Sequence, residues 1–149
     1  MARKWIGYIG VGSLMCAALG CGILYTRQAR LQQAISDKVL RFHVLANSDS
    51  EADQTLKLAV RDRVLQEYGD LLETCTSKEE TLAALKNAQQ EISETAEAEV
   101  LAQGYTYPVR VSLVREEFPF KKYGDLIFPA GVYDALRIEI GEAKGKNWW

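Results

Sequence analysis

The strongest constraint on the fold comes from one short segment, VLRFHVLANSDS at residues 39–50. Its first half alternates between apolar and less apolar side chains, which is typical of a strand with one buried face. The apolar face carries Leu40, Phe42, Val44 and Ala46, and the other face carries Arg41, His43 and Leu45. The segment therefore predicts a strand that belongs to the hydrophobic core.

Helix-capping residues follow this strand directly. Side-chain oxygens of serine, asparagine and aspartate accept hydrogen bonds from the first free N–H groups of a helix. Ser48 with Glu51, or Ser50 with Asp53, has the spacing of a capping box. The sequence therefore predicts that the strand leads into a capped helix.

Helical and strand periodicities account for most of the remaining chain. The predicted helices are Ser50 to Leu72 and Ser77 to about Gln103. In the first, Leu58, Leu65 and Leu72 recur every seven residues, and Leu56, Val60 and Val64 widen the apolar stripe. The predicted strands are Tyr107 to Arg115, Leu126 to Phe128 and Val132 to Ile140, with a turn at Lys121 to Asp125. This β-α-α-β-β-β order predicts an α+β fold, in which two amphipathic helices pack on a small mixed sheet.

An apolar leader precedes this domain. No charged side chain occurs from Trp5 to Tyr25, a length close to that of a membrane span. We predict a signal peptide or membrane anchor at residues 1–26, a stalk or linker at 27–38 and one exported domain at 39–149. The small residues around Gly20 fit a cleavage site, and an uncleaved anchor would keep Trp5 to Tyr25 in contact with the membrane.

Composition and motifs argue against several functional classes. The net charge is −2, and residues 1–30 contain four basic residues and no acidic one, so the rest of the chain is acidic. Such a domain is not expected to bind nucleic acid. The three cysteines, two of them in the leader, form no disulfide or zinc pattern. Neither a phosphate-binding loop nor a metalloprotease motif occurs, so no cofactor and no metal are expected.

His43 and two nearby serines allow a catalytic as well as a structural interpretation. His43 with Ser48 or Ser50 could in principle act as base and nucleophile of a hydrolase. Capping is the simpler role for both serines, and a hydrogen bond to a neighbour at the sheet edge is the simpler role for His43. The sequence therefore favours a protein that is not an enzyme.

The last residues form a candidate partner-binding segment. Basic residues alternate with small ones before two tryptophans, and tryptophan is enriched at interaction hot spots. The candidates are Lys144, Lys146, Asn147, Trp148 and Trp149. Packing of the two indole rings against the sheet is the alternative interpretation.

Several segments together resemble the stage II sporulation protein R family. They are RFHVLANSDS at 41–50, DQTLKLAVRDRVL at 53–65, YPVRV at 107–111 and YGDLIFPAGVYDALRIEIGEAKGKNWW at 123–149. The first and last blocks are distinctive, and the order and spacing agree over most of residues 39–149. Family members are expected to continue past the position of Trp149 with an apolar, cysteine-containing segment.

The resemblance implies a signalling role in endospore formation. Such proteins are made in the forespore and exported into the space between the forespore and mother-cell membranes. There they activate a membrane-embedded aspartic-type protease of the mother cell, which cleaves the precursor of the sporulation factor sigma-E. The protein would be the ligand of that protease. A membrane-tethered structural or scaffold protein of the cell envelope is the alternative, with the acidic helical face as its docking surface.

Overall fold

The computed structural model describes Arg30, residues 33–35 and residues 37–146. The predicted leader, most of the predicted stalk and Asn147 to Trp149 lie outside these residues. Within the described part of the chain, no helix is both long and apolar enough to cross a membrane.

The fold is α+β, as predicted. Its strands are β1 (Leu40–Leu45), β2 (Val109–Phe118), β3 (Lys121–Tyr123), β4 (Leu126–Phe128) and β5 (Gly131–Ile140). Its helices are α1 (Glu51–Thr74), α2 (Lys78–Asn87) and α3 (Gln89–Ala102).

The main sheet has β5 at its centre. The strand order is β1-β5-β2, with β1 parallel and β2 antiparallel to β5, so the prediction of a mixed sheet is confirmed. The register pairs Phe42 with Leu136 and Val44 with Ile138, which aligns the apolar faces of the two parallel strands. The strand that gave the strongest sequence signal therefore lies at an edge of the sheet.

The helices pack on the face that these apolar residues form. The buried cluster joins α1, α2 and α3 to all three strands of the main sheet. Fully buried aliphatic side chains of this kind contribute about 1.5–3 kcal/mol each. Its members from the helices and from the bend at Ala88 are Leu56, Val60, Val64, Leu85, Ala88, Ile92, Ala96 and Val100.

The buried stripe of α1 contains Leu56, Val60 and Val64, as predicted, but it differs from the predicted leucine repeat. Leu65 is 43% exposed, whereas Asp53 and Lys57 are buried beside the aliphatic residues of the stripe. The sequence prediction followed hydrophobicity, but polar partners allow two charged residues to occupy positions that face the sheet.

A second apolar cluster occupies the opposite face of the sheet. It contains Phe118, Tyr133 and Ala135, with Ile35 and Val39 packed against them. The Arg41 guanidinium lies 4.7 Å from the centre of the Phe118 ring and 5.1 Å from that of Phe128. This face is therefore closed by aromatic rings around a cation, an arrangement that the sequence did not predict.

Two predicted elements are corrected. The second helix is divided at Ala88 (φ −86°, ψ 1°), which follows Asn87, a weak helix former. Beyond this bend, Gln89 Nε2 donates to Val111 O at 2.9 Å. The predicted turn at Lys121 to Asp125 is instead a hairpin of β3 and β4, in which only Gly124 and Asp125 separate the strands.

Candidate functional site

Two chain segments emerge together at one end of the sheet. Because β1 and β5 are parallel, the residues that follow Leu45 and Ile140 leave the sheet at the same end. The backbone N–H of Gly145 donates to Ala46 O at 2.9 Å, and that of Lys144 donates to Asn47 O at 3.2 Å. We call this contact between residues 46–50 and residues 141–146 the cap junction.

Side chains of residues 46–50 also hold the later segment. The side-chain oxygen Oδ1 of Asn47 accepts from the Glu142 N–H at 2.9 Å. The Oδ1 atom of Asp49 accepts from the Lys146 N–H at 2.6 Å. The backbone of the basic segment is therefore fixed by groups that the first part of the domain supplies.

Asp53 is the buried centre of the cap junction, with only 4% of its surface exposed. Its carboxylate accepts from Ser48 Oγ at 2.5 Å and from Asn47 Nδ2 at 3.0 Å. Burial alone would raise the pKa of Asp53, but hydrogen bonds from Ser48, Asn47, Tyr107 and Ser50 together lower it below its usual value. The junction therefore contains a buried, ionised carboxylate.

The predicted helix cap is confirmed for one of its two possible pairs. Ser50 is the N-cap of α1, and its hydroxyl accepts from the Asp53 N–H at 3.1 Å. The Ser48 hydroxyl donates to the Asp53 carboxylate, so the predicted capping pair of Ser48 with Glu51 does not form. One short loop therefore caps the helix and also positions Asp53.

Two glycines allow the close approach of the later segment. A Cβ atom on Gly145 would lie 2.6 Å from Ser48 O, and one on Gly141 would overlap the Asn47 side chain. Gly141 also has a positive φ of 61°, which favours glycine. Sequence reasoning identified this segment by its lysines and missed the role of its glycines.

The candidate partner-binding residues that the structure describes lie on the outside of the cap junction. The side chain of Lys144 is 73% exposed, and its Nζ lies 2.6 Å from Glu142 Oε2. The hydrogen bond with Glu142 raises the pKa of Lys144. Lys146 is exposed as well. Asn147, Trp148 and Trp149 lie outside the described residues, so the binding role of this segment stays a prediction.

His43 and the two serines have separate partners. His43 Nδ1 lies 2.6 Å from Glu116 Oε1, on the side of the sheet that carries Phe118. The serine hydroxyls are engaged around Asp53. Sequence reasoning expected a structural role for His43, bonded to a neighbour at the sheet edge; its partner Glu116 lies on β2, which β5 separates from β1. In the part of the chain that the structure covers, no group of acidic, histidine or cysteine side chains is arranged to hold a metal ion.

Lys57 is a buried cation that sequence reasoning missed. It is 1% exposed, and its Nζ lies 2.5 Å from Gln54 Oε1, while Gln54 Nε2 donates to Ser48 O at 3.0 Å. Burial lowers the pKa of Lys57 to about 8, against the opposing effect of Asp49. A lysine four residues after Asp53, on the same face of a helix, was the available sequence signal.

Lys57 is expected to make stability depend on pH in the alkaline range. The pKa of Lys57 is about 8 in the folded state and 10.5 when the side chain is not buried. Between about pH 8 and pH 10.5 the unfolded chain therefore binds more protons than the folded chain. The contribution of Lys57 to the free energy of unfolding therefore rises with pH across this window. We expect wild type to gain stability relative to Lys57→Met as pH rises from about 7 to about 9.5, measured by urea unfolding.

An exposed lysine provides the control for this experiment. Lys86 lies in the last turn of α2 and is exposed. The free energy of unfolding of Lys86→Met, plotted against pH, should run parallel to that of wild type. Parallel curves for Lys57→Met as well would contradict a lowered pKa at Lys57.

Comparisons with known proteins are consistent with these features. Residues 36–149 match the family described as stage II sporulation protein R. The chain is similar to the stage II sporulation protein R of Bacillus subtilis (strain 168), with 36% identity over 115 residues, which are 77% of this chain and 51% of the relative. The chain thus spans about half the length of that curated relative. No solved structure matches significantly.

Proposed function

This chain belongs to the stage II sporulation protein R family, and from that premise we propose that it is an exported signalling protein of endospore formation. It acts in the space between the forespore and mother-cell membranes. There it binds and activates a membrane-embedded aspartic-type protease of the mother cell, which then cleaves the sigma-E precursor. The protein is the ligand in this step and performs no catalysis itself.

The family match over residues 36–149 is the observation that carries the proposal. It includes both halves of the cap junction. RFHVLANSDS and GEAKGK, two of the distinctive blocks of the sequence, are hydrogen-bonded to each other in the structure. These hydrogen bonds hold the start of the candidate binding segment against the capping loop.

The proposed contact surface is the outer side of the cap junction together with residues 147–149. Lys144 and Lys146 are exposed there, on a backbone that Ala46, Asn47 and Asp49 hold in place. A backbone that is already ordered loses less conformational entropy when a partner binds it. Binding would activate the protease by favouring its active conformation or oligomer, as any activating ligand must.

Reconstitution in a bacterium that does not sporulate tests the proposal. The full chain would be co-expressed with the mother-cell protease and the sigma-E precursor, and precursor length followed by immunoblot. We expect shortening only when this chain is present and exported. A longer family member serves as the positive control. If that control works and this chain produces no shortening, activation by this chain is contradicted, and localisation of the chain to the envelope would then favour the scaffold alternative.

The same assay tests the candidate binding segment. Trp148→Ala combined with Trp149→Ala is expected to remove most precursor cleavage, because tryptophans at an interface often carry most of its binding energy. The thermal unfolding midpoint of this variant should stay close to that of wild type. Lys86→Ala, on exposed α2 surface, is the matched control and should leave cleavage intact. Full cleavage by the tryptophan variant would show that the partner binds elsewhere.

A further inference from the structure

We propose that the free edge of β1 binds an extended, acidic segment of a partner protein as an additional strand. This inference identifies a second contact surface, apart from the cap junction. It depends on the proposed function only for the identity of the partner. Strand addition is an established mode of peptide recognition, in which the backbone supplies affinity and alternate side chains supply specificity.

The position of β1 in the sheet provides the first argument. Within residues 37–146, β1 pairs with β5 alone, so its other side is an edge of the sheet. An edge strand directs the backbone N–H and C=O of every second residue away from its partner strand. The opposite edge is already occupied in part, since Gln89 donates to Val111 O in β2.

A groove of about 190 Å³ runs beside this edge and provides the second argument. One side is formed by α1, through Lys57 and Arg61, and the other by the end of β2 and the start of the hairpin. Phe118 and Tyr123 supply aromatic surface in the groove. An extended segment that lies against β1 would therefore also contact side chains on both of its flanks.

The charge of the groove selects the partner. Its lining includes four cationic side chains and one acidic side chain. Three of the cations, Arg41, Arg61 and Lys121, are partly exposed, whereas Lys57 is buried; the acidic residue is Glu117. Arg61 pairs with Asp62 at 2.6 Å, but both side chains are well exposed, so this pair is weak and can exchange. A partner with carboxylates complements the groove, whereas a basic partner would be repelled.

A second, more open groove continues along the first half of β1. Its lining is largely apolar and includes Leu40, Phe42 and the exposed hairpin residues Tyr123 and Leu126. Leu126 is 65% exposed and Tyr123 is 43% exposed. Successive side chains of a strand point to opposite faces. A segment that alternates acidic and apolar side chains therefore fits both grooves.

A labelled peptide that alternates glutamate and valine over nine residues is the probe. Its binding to the full chain in detergent micelles would be measured by fluorescence anisotropy. We expect saturable binding, and no binding of a matched peptide that alternates lysine and valine. Arg61→Glu and Lys121→Glu should each weaken binding by at least about fivefold, since each replaces an attraction with a repulsion. Lys86→Glu, away from the groove, should not change it.

Backbone methylation of the peptide separates strand addition from simple charge attraction. N-methyl groups at one set of alternate positions should abolish binding, and those at the other set should be tolerated, because only one set faces β1. Hydrogen exchange should slow in β1 when the peptide binds. Equal binding of both methylated peptides, or protection confined to residues 141–146, would overturn the proposal. These measurements use no protease, so a failure here is distinct from a failure of the signalling role.

Discussion

Replacing Gly145 by valine is expected to lower the free energy of unfolding by about 3 kcal/mol and, if the proposed function holds, to abolish precursor cleavage. The added Cβ would lie 2.6 Å from Ser48 O and 2.9 Å from the Gln54 side-chain nitrogen. The first of these atoms belongs to the backbone of the capping loop, which cannot move without disturbing the start of α1. The later segment must therefore shift, and the hydrogen bond from Gly145 to Ala46 O is lost.

Urea unfolding and the precursor-cleavage assay together measure this effect. Gly69→Ala is the matched control, since no atom lies within 4 Å of its added Cβ and the position is inside α1. That change should stabilise the protein by about 0.5–1 kcal/mol, because alanine is the better helix former. Wild-type stability of Gly145→Val would mean that residues 141–146 do not contribute to the fold through this contact.

Asp53→Ala is expected to have a comparable effect, with a loss of about 3 kcal/mol. The carboxylate is buried and accepts hydrogen bonds from Asn47 and Ser48. Removing it leaves these part-buried donors without their partner. Two unpaired donors and a small cavity cost more than a typical surface mutation. The later segment, which rests on Asn47, should loosen as well.

The dependence of this effect on pH has a definite sign. The folded-state pKa of Asp53 is lowered below its unfolded value, so its ionised form stabilises the folded state. This contribution is present above the unfolded pKa and is lost as pH falls through the folded pKa. The stability difference between wild type and Asp53→Ala should therefore shrink in acid. Asp62→Ala, at an exposed site on the same helix, should change stability by less than about 0.5 kcal/mol at neutral pH. If the stability difference between wild type and Asp53→Ala grows in acid, a lowered pKa of Asp53 is contradicted.

Local patterns predicted the main elements of this fold. The alternation from Leu40 to Ala46 identified β1 and its buried face, and Ser50 identified the start of α1. Such features depend on neighbours in the sequence, so the sequence alone can reveal them. The bend at Ala88 and the short strand β3 were missed because their local signals are weak: a single Asn87 precedes the bend, and β3 has only three residues.

The candidate site was predictable only in part. The lysines near the end of the sequence drew attention to residues 144–149, but their contact with Asn47 and Asp49 spans almost one hundred residues. Asp53 was expected only as part of the helix cap and Lys57 was not singled out, because burial of a charged side chain depends on packing that the sequence does not display. Conversely, Leu65 matched a heptad pattern, yet it is 43% exposed.

The central position of β5 also determines when the sheet can assemble. This strand is the last element along the described chain, and the parallel pairing of Leu40 with Asp134 closes a loop of most of the domain. A nascent chain that lacks β5 contains two outer strands with nothing between them. Strand pairings so distant in sequence form slowly, because the entropic cost of closing the loop comes before any stabilisation from the contacts. The topology thus delays completion of the main sheet until β5 has been synthesised, because β1 and β2 have no pairing partner before then.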